Sequence, residues 1–214
     1  MYVTVLSQSI PPEFTNEEKE ELCSMLRRIL GCTVVLFSPL SVSSLRTLLH
    51  ITKQEIDQTL DSLHTILDIP NDPSRPLRLH HPSFRDFLLS KDRCSDPNFR
   101  ADEKEAHLTL AKYCVQLMST SLKQDICGVA APGTLVHNIE SSRAEQCLPP
   151  AVQYACLYWV QHLQKSSTQL YDNDRFHQFL LEHALHWLEA LSWMRKMSEG
   201  IDQITSLESI TVVS

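Results

Sequence analysis

The sequence predicts a mainly α protein: a winged helix, built of three helices and a short β-hairpin wing, followed by an α-helical domain. Three observations predict it. Apolar residues recur at spacings of three and four between residues 22 and 67, and again over 110–122 and 151–191. One strong turn signal, Pro70-Asn71-Asp72-Pro73, separates two short extended segments at 67–69 and 77–81. A polar stretch from Ser90 to Arg100, which includes Pro97, interrupts the pattern. Residues 1–92 are therefore assigned to the winged helix, 93–100 to a linker and 101–214 to the helical domain.

Each element has a local reason. Thr15-Asn16 ahead of Glu17-Glu18 places a polar cap and two acids where the helix dipole is positive. Leu22, Met25, Leu26, Ile29 and Leu30 follow at helical spacing. Gly31 either ends that helix or lies within a longer one reaching Phe37, and Pro39 blocks continuation past Ser38. Ser41 caps a short helix carrying Val42, Leu45, Leu48 and Leu49. Thr52, with Glu55 three residues on, forms a capping box for a third helix. Its apolar positions are Ile56, Leu60, Leu63, Ile66 and Leu67. After the turn and the second extended segment, Pro82-Ser83 opens a helix from Phe84 to Leu89. Three helices and a hairpin make the winged variant of helix-turn-helix.

The second half reads as helices alone. A helix starting near Ala101 carries Leu110, Ala111, Cys114, Leu117, Met118 and Leu122 on one stripe. Residues 126–150 have weak periodicity, two glycines and three prolines, and are expected to be loop with short helical turns. Pro149-Pro150 introduces a helix with Ala151, Ala155, Tyr158, Trp159 and His162 on one face. Asn173 or Asp174 caps the last long helix, whose broad apolar face holds Phe176, Phe179, Leu180, His183, Trp187, Ala190 and Leu191.

Charge and cysteine usage exclude several functions. Residues 1–100 carry 11 basic and 13 acidic side chains, and residues 101–214 carry 8 and 13. Neither half is basic, so attraction to a phosphate backbone is not a driving force and no nucleic-acid partner is expected. The seven cysteines contain no C-x-x-C pair, which reads as reduced thiols in a cytoplasmic protein. The longest apolar run, 32–37, falls far short of the ~20 residues that span a bilayer, and no membrane partner is expected.

Several strings carry a further signal. Gly31, Ser38-Pro39-Leu40-Ser41 and Arg78-Leu79-His80-His81-Pro82-Ser83-Phe84-Arg85-Asp86-Phe87-Leu88 form one set. Leu148-Pro149, Gln153-Tyr154-Ala155-Cys156-Leu157-Tyr158-Trp159-Val160 and His183-Ala184-Leu185-His186-Trp187-Leu188-Glu189-Ala190-Leu191 form a second. Together they resemble the winged helix and following helical region of fungal NACHT-type signalling ATPases. This STAND-class family includes the vegetative-incompatibility proteins. The resemblance covers most of residues 2 to about 205, and residues 207–214 depart from it.

The resemblance implies a non-enzymatic regulatory or interaction module. Its partner would be another protein or an ATPase module absent from this sequence, with no cofactor and no small-molecule substrate of its own. No G-x-x-x-x-G-K-[ST] loop occurs in the chain. His81, before Pro-Ser-Phe, takes the family's nucleotide-sensing position, and His80 departs from the apolar residue expected there. Strand alternation puts Leu77, Leu79 and His81 on one face, with Arg78 and His80 on the other. His81 is expected to meet a phosphate only beside a NACHT core, the plainer alternative being a cap on the next helix. Arg85 and Asp86 are candidate interface residues, against the bland reading of local ion pairs. Val34 and Phe37 are the other interface candidates. With Val35 and Leu36 they belong to a run too apolar for a single buried stripe to hide.

No catalytic or metal set emerges. His183 and His186 stand three apart beside Glu182 and Glu189, unlike the H-E-x-x-H of zinc peptidases, and read as core or helix-contact histidines. Cys114 with His107 fails as a nucleophile pair because Cys114 falls on a buried stripe. The rival function is sequence-specific DNA binding by the winged helix. Against it, the would-be recognition segment 52–67 carries Lys53 alone against Glu55, Asp57 and Asp61.

Overall fold

A computed structural model describes residues 2–70, 72–129 and 146–211. Asn71 of the expected turn, most of the stretch read as loop before Pro149, and the last three residues lie outside the described residues. The described chain is mainly helical, with one two-stranded sheet. It divides into two compact units, residues 1–109 and 110–214. The division falls within helix α6, beyond the polar stretch 93–100, which itself contributes buried Cys94 and Phe99.

The first unit opens with α1 (Tyr2–Gln8), to which the sequence pattern assigned nothing. Val3, Thr4 and Val5 are weak helix formers, and a helix this short does not stand alone. Tertiary packing holds it: Leu6 is fully buried, and Tyr2 packs on Phe84 and Phe87 at centroid distances of 5.2 and 5.3 Å.

Helix α2 (Asn16–Val34) starts at a capping box. The Thr15 hydroxyl accepts the Glu18 N–H, and the Glu18 carboxylate accepts the Thr15 N–H at 2.7 Å. Gly31 lies inside this helix. Ala101 approaches so closely that a Cβ on Gly31 would stand 3.0 Å from the alanine methyl. Ser41 caps α3 (Val42–Leu49), and Thr52 with Glu55 forms the expected capping box on α4 (Lys53–Leu60).

The third helix is shorter than its apolar spacing suggested. α4 gives way at Leu60 to a 3₁₀ turn, Asp61–Leu63. Leu60, Leu63 and Ile66 are spaced by threes, which suits a three-residue turn as well as a helix, and all three are buried. Strands β1 (Leu67–Asp68) and β2 (Arg78–Leu79) then pair antiparallel, Leu67 opposite Leu79. Leu77 is buried and donates its N–H to the Leu40 carbonyl, tying the hairpin to the segment before α3. α5 (Ser83–Leu89) follows, burying Phe84, Phe87 and Leu88.

α6 (Glu103–Ser121) starts where the Asp102 carboxylate accepts the Glu105 N–H at 2.9 Å. In the second unit, α7 (Pro150–Lys165) is buried on most sides rather than along one stripe. Of its expected face, only Tyr158 is half-exposed. Asp174 caps α8 (Arg175–Trp193) by accepting the His177 N–H. The core stacks Trp159 on Phe176 and sets it edge-on against Phe179 and Trp187. α9 (Met197–Ile210) has no counterpart in the sequence pattern. Its Gly200 sits against Leu191, where an added Cβ would lie 2.7 Å from the leucine Cδ1.

Candidate functional site

The strings that single out residues 78–88 come together where β2 runs into α5. Pro82 occupies the cap position of α5 and supplies no side-chain hydrogen bond. His81 makes the capping bond in its place, with the Ser83 N–H donating to His81 Nδ1 at 3.1 Å. The Ser83 hydroxyl stands 2.7 Å from the same nitrogen, and Tyr2 Oη stands 2.9 Å from the Ser83 hydroxyl. A backbone N–H has only one role, so Nδ1 is the acceptor. The consistent order is then Tyr2 O–H to Ser83 O–H to His81 Nδ1, and the neutral ring carries its proton on Nε2. His81 is exposed, and both of its contacts with Ser83 use Nδ1 rather than Nε2. The cap and a donor role are thus held by opposite edges of one ring.

His80 is engaged differently. Its Nε2 lies 3.0 Å from the His64 carbonyl, a contact in which the ring nitrogen must donate. The two adjacent histidines are therefore not equivalent: one fastens the hairpin, and the other presents a donor.

Beside His81 in the chain, Leu79 and Pro82 help to line an open cleft of about 250 Å³. Val34, Leu36, Leu40 and Leu77 supply more of its apolar wall, and the stems of Arg78 and Arg85 line it as well. Val34 and Val35 are core residues, so the apolar run 32–37 is not a free surface along its length. Val34 reaches the cleft only as part of its floor. Leu36 is half-buried, and Phe37 is 38% exposed with its ring stacked on His107 at 5.6 Å.

Arg85 pairs with Glu103 at 3.3 Å and Asp86 with Arg93 at 3.7 Å, all four side chains being well exposed. Such pairs contribute little to stability and leave both heads free to re-pair. As candidate site residues the sequence named His81, Arg85 and Val34 of this corner; it read Pro82-Ser83 as a helix start and Leu40 as part of a longer string, and it named nothing at Tyr2. Ser83, two residues past a histidine at a helix start, carried a readable capping signal. Tyr2 carried none, because only tertiary packing brings α1 here.

The other candidate groups are placed elsewhere. His183 and His186 meet through their Nδ1 atoms at 3.3 Å, and His183 stacks on Phe179 at 5.7 Å. Cys114 is fully buried. Burial pushes the Cys32 and Cys156 thiols up to about 12, so neither presents a thiolate at neutral pH.

This corner thus combines an open, largely apolar cleft lined in part by Arg78 and Arg85 with an exposed histidine, His81, next in the chain to two of its lining residues. The chain is homologous to the vegetative incompatibility protein HET-E-1 of Podospora anserina, with 29% identity over 217 residues. The match covers 91% of this chain but only 16% of that protein. No family model and no solved structure matches the chain. Among the described residues no helix is long and apolar enough to cross a membrane.

Proposed function

We propose that the chain is a non-enzymatic regulatory and interaction module of a NACHT-type signalling ATPase of the vegetative-incompatibility kind. It corresponds to the winged helix and helical region that follow the nucleotide-binding core. The observation that carries this reading is the His81 corner. Ser83 engages His81 through Nδ1, which leaves Nε2 for a donor role, and its chain neighbours Leu79 and Pro82 line an apolar cleft; such an arrangement supports sensing of a phosphate on a docked neighbour. In this reading α2, α3 and α4 with the hairpin are the winged helix, and Leu36, Leu79 and Arg85 meet the core. A switch of this type needs contacts that differ between two nucleotide states, and a phosphate met by His81 in one state supplies such a difference. The module works in the cytoplasm and has no cofactor of its own.

The test is calorimetric binding of the full chain to a separately produced NACHT-type ATPase module, loaded with ADP or with a non-hydrolysable ATP analogue. Binding should depend on the nucleotide. His81→Ala should remove that dependence, and Leu36→Glu should weaken binding to both forms. Nucleotide-independent binding, or no effect of either substitution, overturns the reading. ATP turnover by the chain alone overturns its non-enzymatic part.

A further inference from the structure

The second unit holds a pair of histidines that the proposed function does not use. His183 and His186 lie three apart on α8, which places them on one face of the helix, and both are partly exposed. Their Nδ1 atoms face each other at 3.3 Å. A neutral imidazole carries one N–H and one lone pair. Two such nitrogens turned toward each other therefore share either a proton or a cation. At 3.3 Å the contact is at the long end of the hydrogen-bond range.

The distance also fits a particular ion. Two imidazole nitrogens bound to a tetrahedral zinc ion at 2.0–2.1 Å stand about 3.3–3.4 Å apart. Adjacent positions of a square-planar or octahedral ion at similar bond lengths stand about 2.9 Å apart. The spacing that departs from H-E-x-x-H is no obstacle, because a clip of two nitrogens needs only a shared helix face.

The surroundings support the rings. His183 stacks on Phe179 with the planes 23° apart, and Phe179 is itself buried edge-on against Trp159. On the other edge of the His183 ring, Nε2 stands 3.8 Å from the Glu182 carboxylate. A carboxylate behind the non-ligating nitrogen is the usual support of a metal-bound histidine, since it sets the tautomer and raises the basicity of the ligating nitrogen. Glu189, one turn beyond His186, accepts from the Asp125 and Ile126 amides and the Trp193 indole, so it adds negative potential without being free to coordinate. The cations of the helix ends stand off. Arg175 is eight residues before His183, and Arg195 and Lys196 are nine and ten after His186, which is about 12 Å or more along the axis. His177 is not a third ligand through Nδ1, which accepts the Asn173 N–H.

We propose that His183 and His186 form a two-histidine clip for a zinc ion, bound through both Nδ1 atoms, with Glu182 as the positioning residue behind His183. Two tetrahedral positions remain for water or for a ligand from outside the chain. Among the described residues no third histidine, cysteine or acid completes a metal-holding group with this pair. The ion is therefore exchangeable, unlike a closed structural zinc, and it braces one turn of α8 rather than serving a reaction.

The test is calorimetric titration of the full chain, kept reduced, with zinc chloride at neutral pH. One zinc should bind at micromolar concentration. His183→Asn and His186→Asn should each weaken that event by about tenfold or more, and Glu182→Gln by several-fold. His177→Asn should leave it unchanged, and circular dichroism will show whether each variant keeps its helices. Nitrogen-15 NMR of the unaltered chain supplies a readout that needs no variant: zinc should shift the Nδ1 resonances of both histidines far more than their Nε2 resonances. Absence of binding at submillimolar zinc, binding that survives either histidine substitution, or imidazole resonances that ignore zinc overturns the proposal. The last outcome would leave a shared proton as the whole content of the contact.

Discussion

The carbonyl of Cys156 receives two side-chain donors, Trp187 Nε1–H at 2.9 Å and the Gln203 amide at 3.3 Å. Gln203 is buried, and its own Oε1 has no partner among the described residues. An unmatched buried acceptor is more costly than a second donor to an already satisfied carbonyl is helpful. Gln203→Met, which keeps the length and removes both polar atoms, should therefore raise stability by about 1 kcal/mol in urea unfolding. A loss of similar size would show that the Gln203–Cys156 bond matters more than the orphaned oxygen. Thr52 presents the opposite case, since each of its polar groups is used. Its hydroxyl accepts the Glu55 N–H, while its own N–H and hydroxyl donate to the Glu55 carboxylate at 2.7 Å each. Thr52→Ala should destabilise by about 1 kcal/mol at neutral pH. The Thr52 backbone N–H, and after it the hydroxyl, hold the Glu55 carboxyl below its ordinary value of 4.5. A depressed carboxylate stabilises the fold above its unfolded pKa, and that part is lost as pH falls through the lower folded value. The Thr52→Ala deficit measured by thermal unfolding should accordingly shrink as pH drops below about 4. A deficit independent of pH would detach the cap from the carboxylate.

At the scale of elements, Gly31 decides how closely the segment leading into α6 can approach α2. The helix does not end at this glycine, as a C-terminal glycine would suggest. Instead Ala101 occupies the space where a side chain would stand, with Ala106 next nearest at 3.7 Å. Gly31→Leu should cost about 3 kcal/mol by overpacking, despite leucine's better helix propensity. A neutral Gly31→Leu in thermal unfolding would mean that the segment at Ala101 is free to move away. The same residue shows what a sequence reveals and what it hides. Caps at Thr15, Ser41, Thr52 and Asp174 are local devices, and their helices were legible from a few residues each. The hairpin was legible from its prolines and the alternation of Leu77, Arg78 and Leu79. α1 and α9 were not, because Val3-Thr4-Val5 and Gly200 are poor helix material that only burial of Leu6 and of Leu207 fixes in place. For the candidate site the pattern identified His81 but left its role open between cap and donor. The structure shows the cap, made through Nδ1, and that cap leaves Nε2 unused. Nor could spacing show that Val34, forty-odd residues from Leu79, shares a cleft with it, because that depends on how the hairpin folds back on α2.

Across the whole molecule, the charge distribution separates the regulatory reading from its rival. Three helices and a hairpin could serve as a DNA-binding winged helix if the third helix met a groove. The chain carries 19 basic and 26 acidic side chains, a net charge of −7, and neither half is basic. α4 carries Lys53 against Glu55 and Asp57, and Asp61 follows at its end. The Glu55 carboxylate is fixed in the capping box, so it cannot swing away from an approaching phosphate. Arg78 and Arg85 are the cations nearest the hairpin cleft, and Arg85 is already paired with Glu103. Non-specific duplex binding draws nearly all its free energy from counterion release by lysine and arginine, and this surface offers few such contacts. Titration of a random duplex with micromolar protein at about 0.15 M salt should therefore give no mobility shift. The salt dependence is the informative part. A complex appearing at low salt with a steep slope would indicate several phosphate contacts and move the third helix from a protein-facing to a DNA-facing role. A flat response would leave the apolar cleft beside His81 as the surface through which the first unit acts.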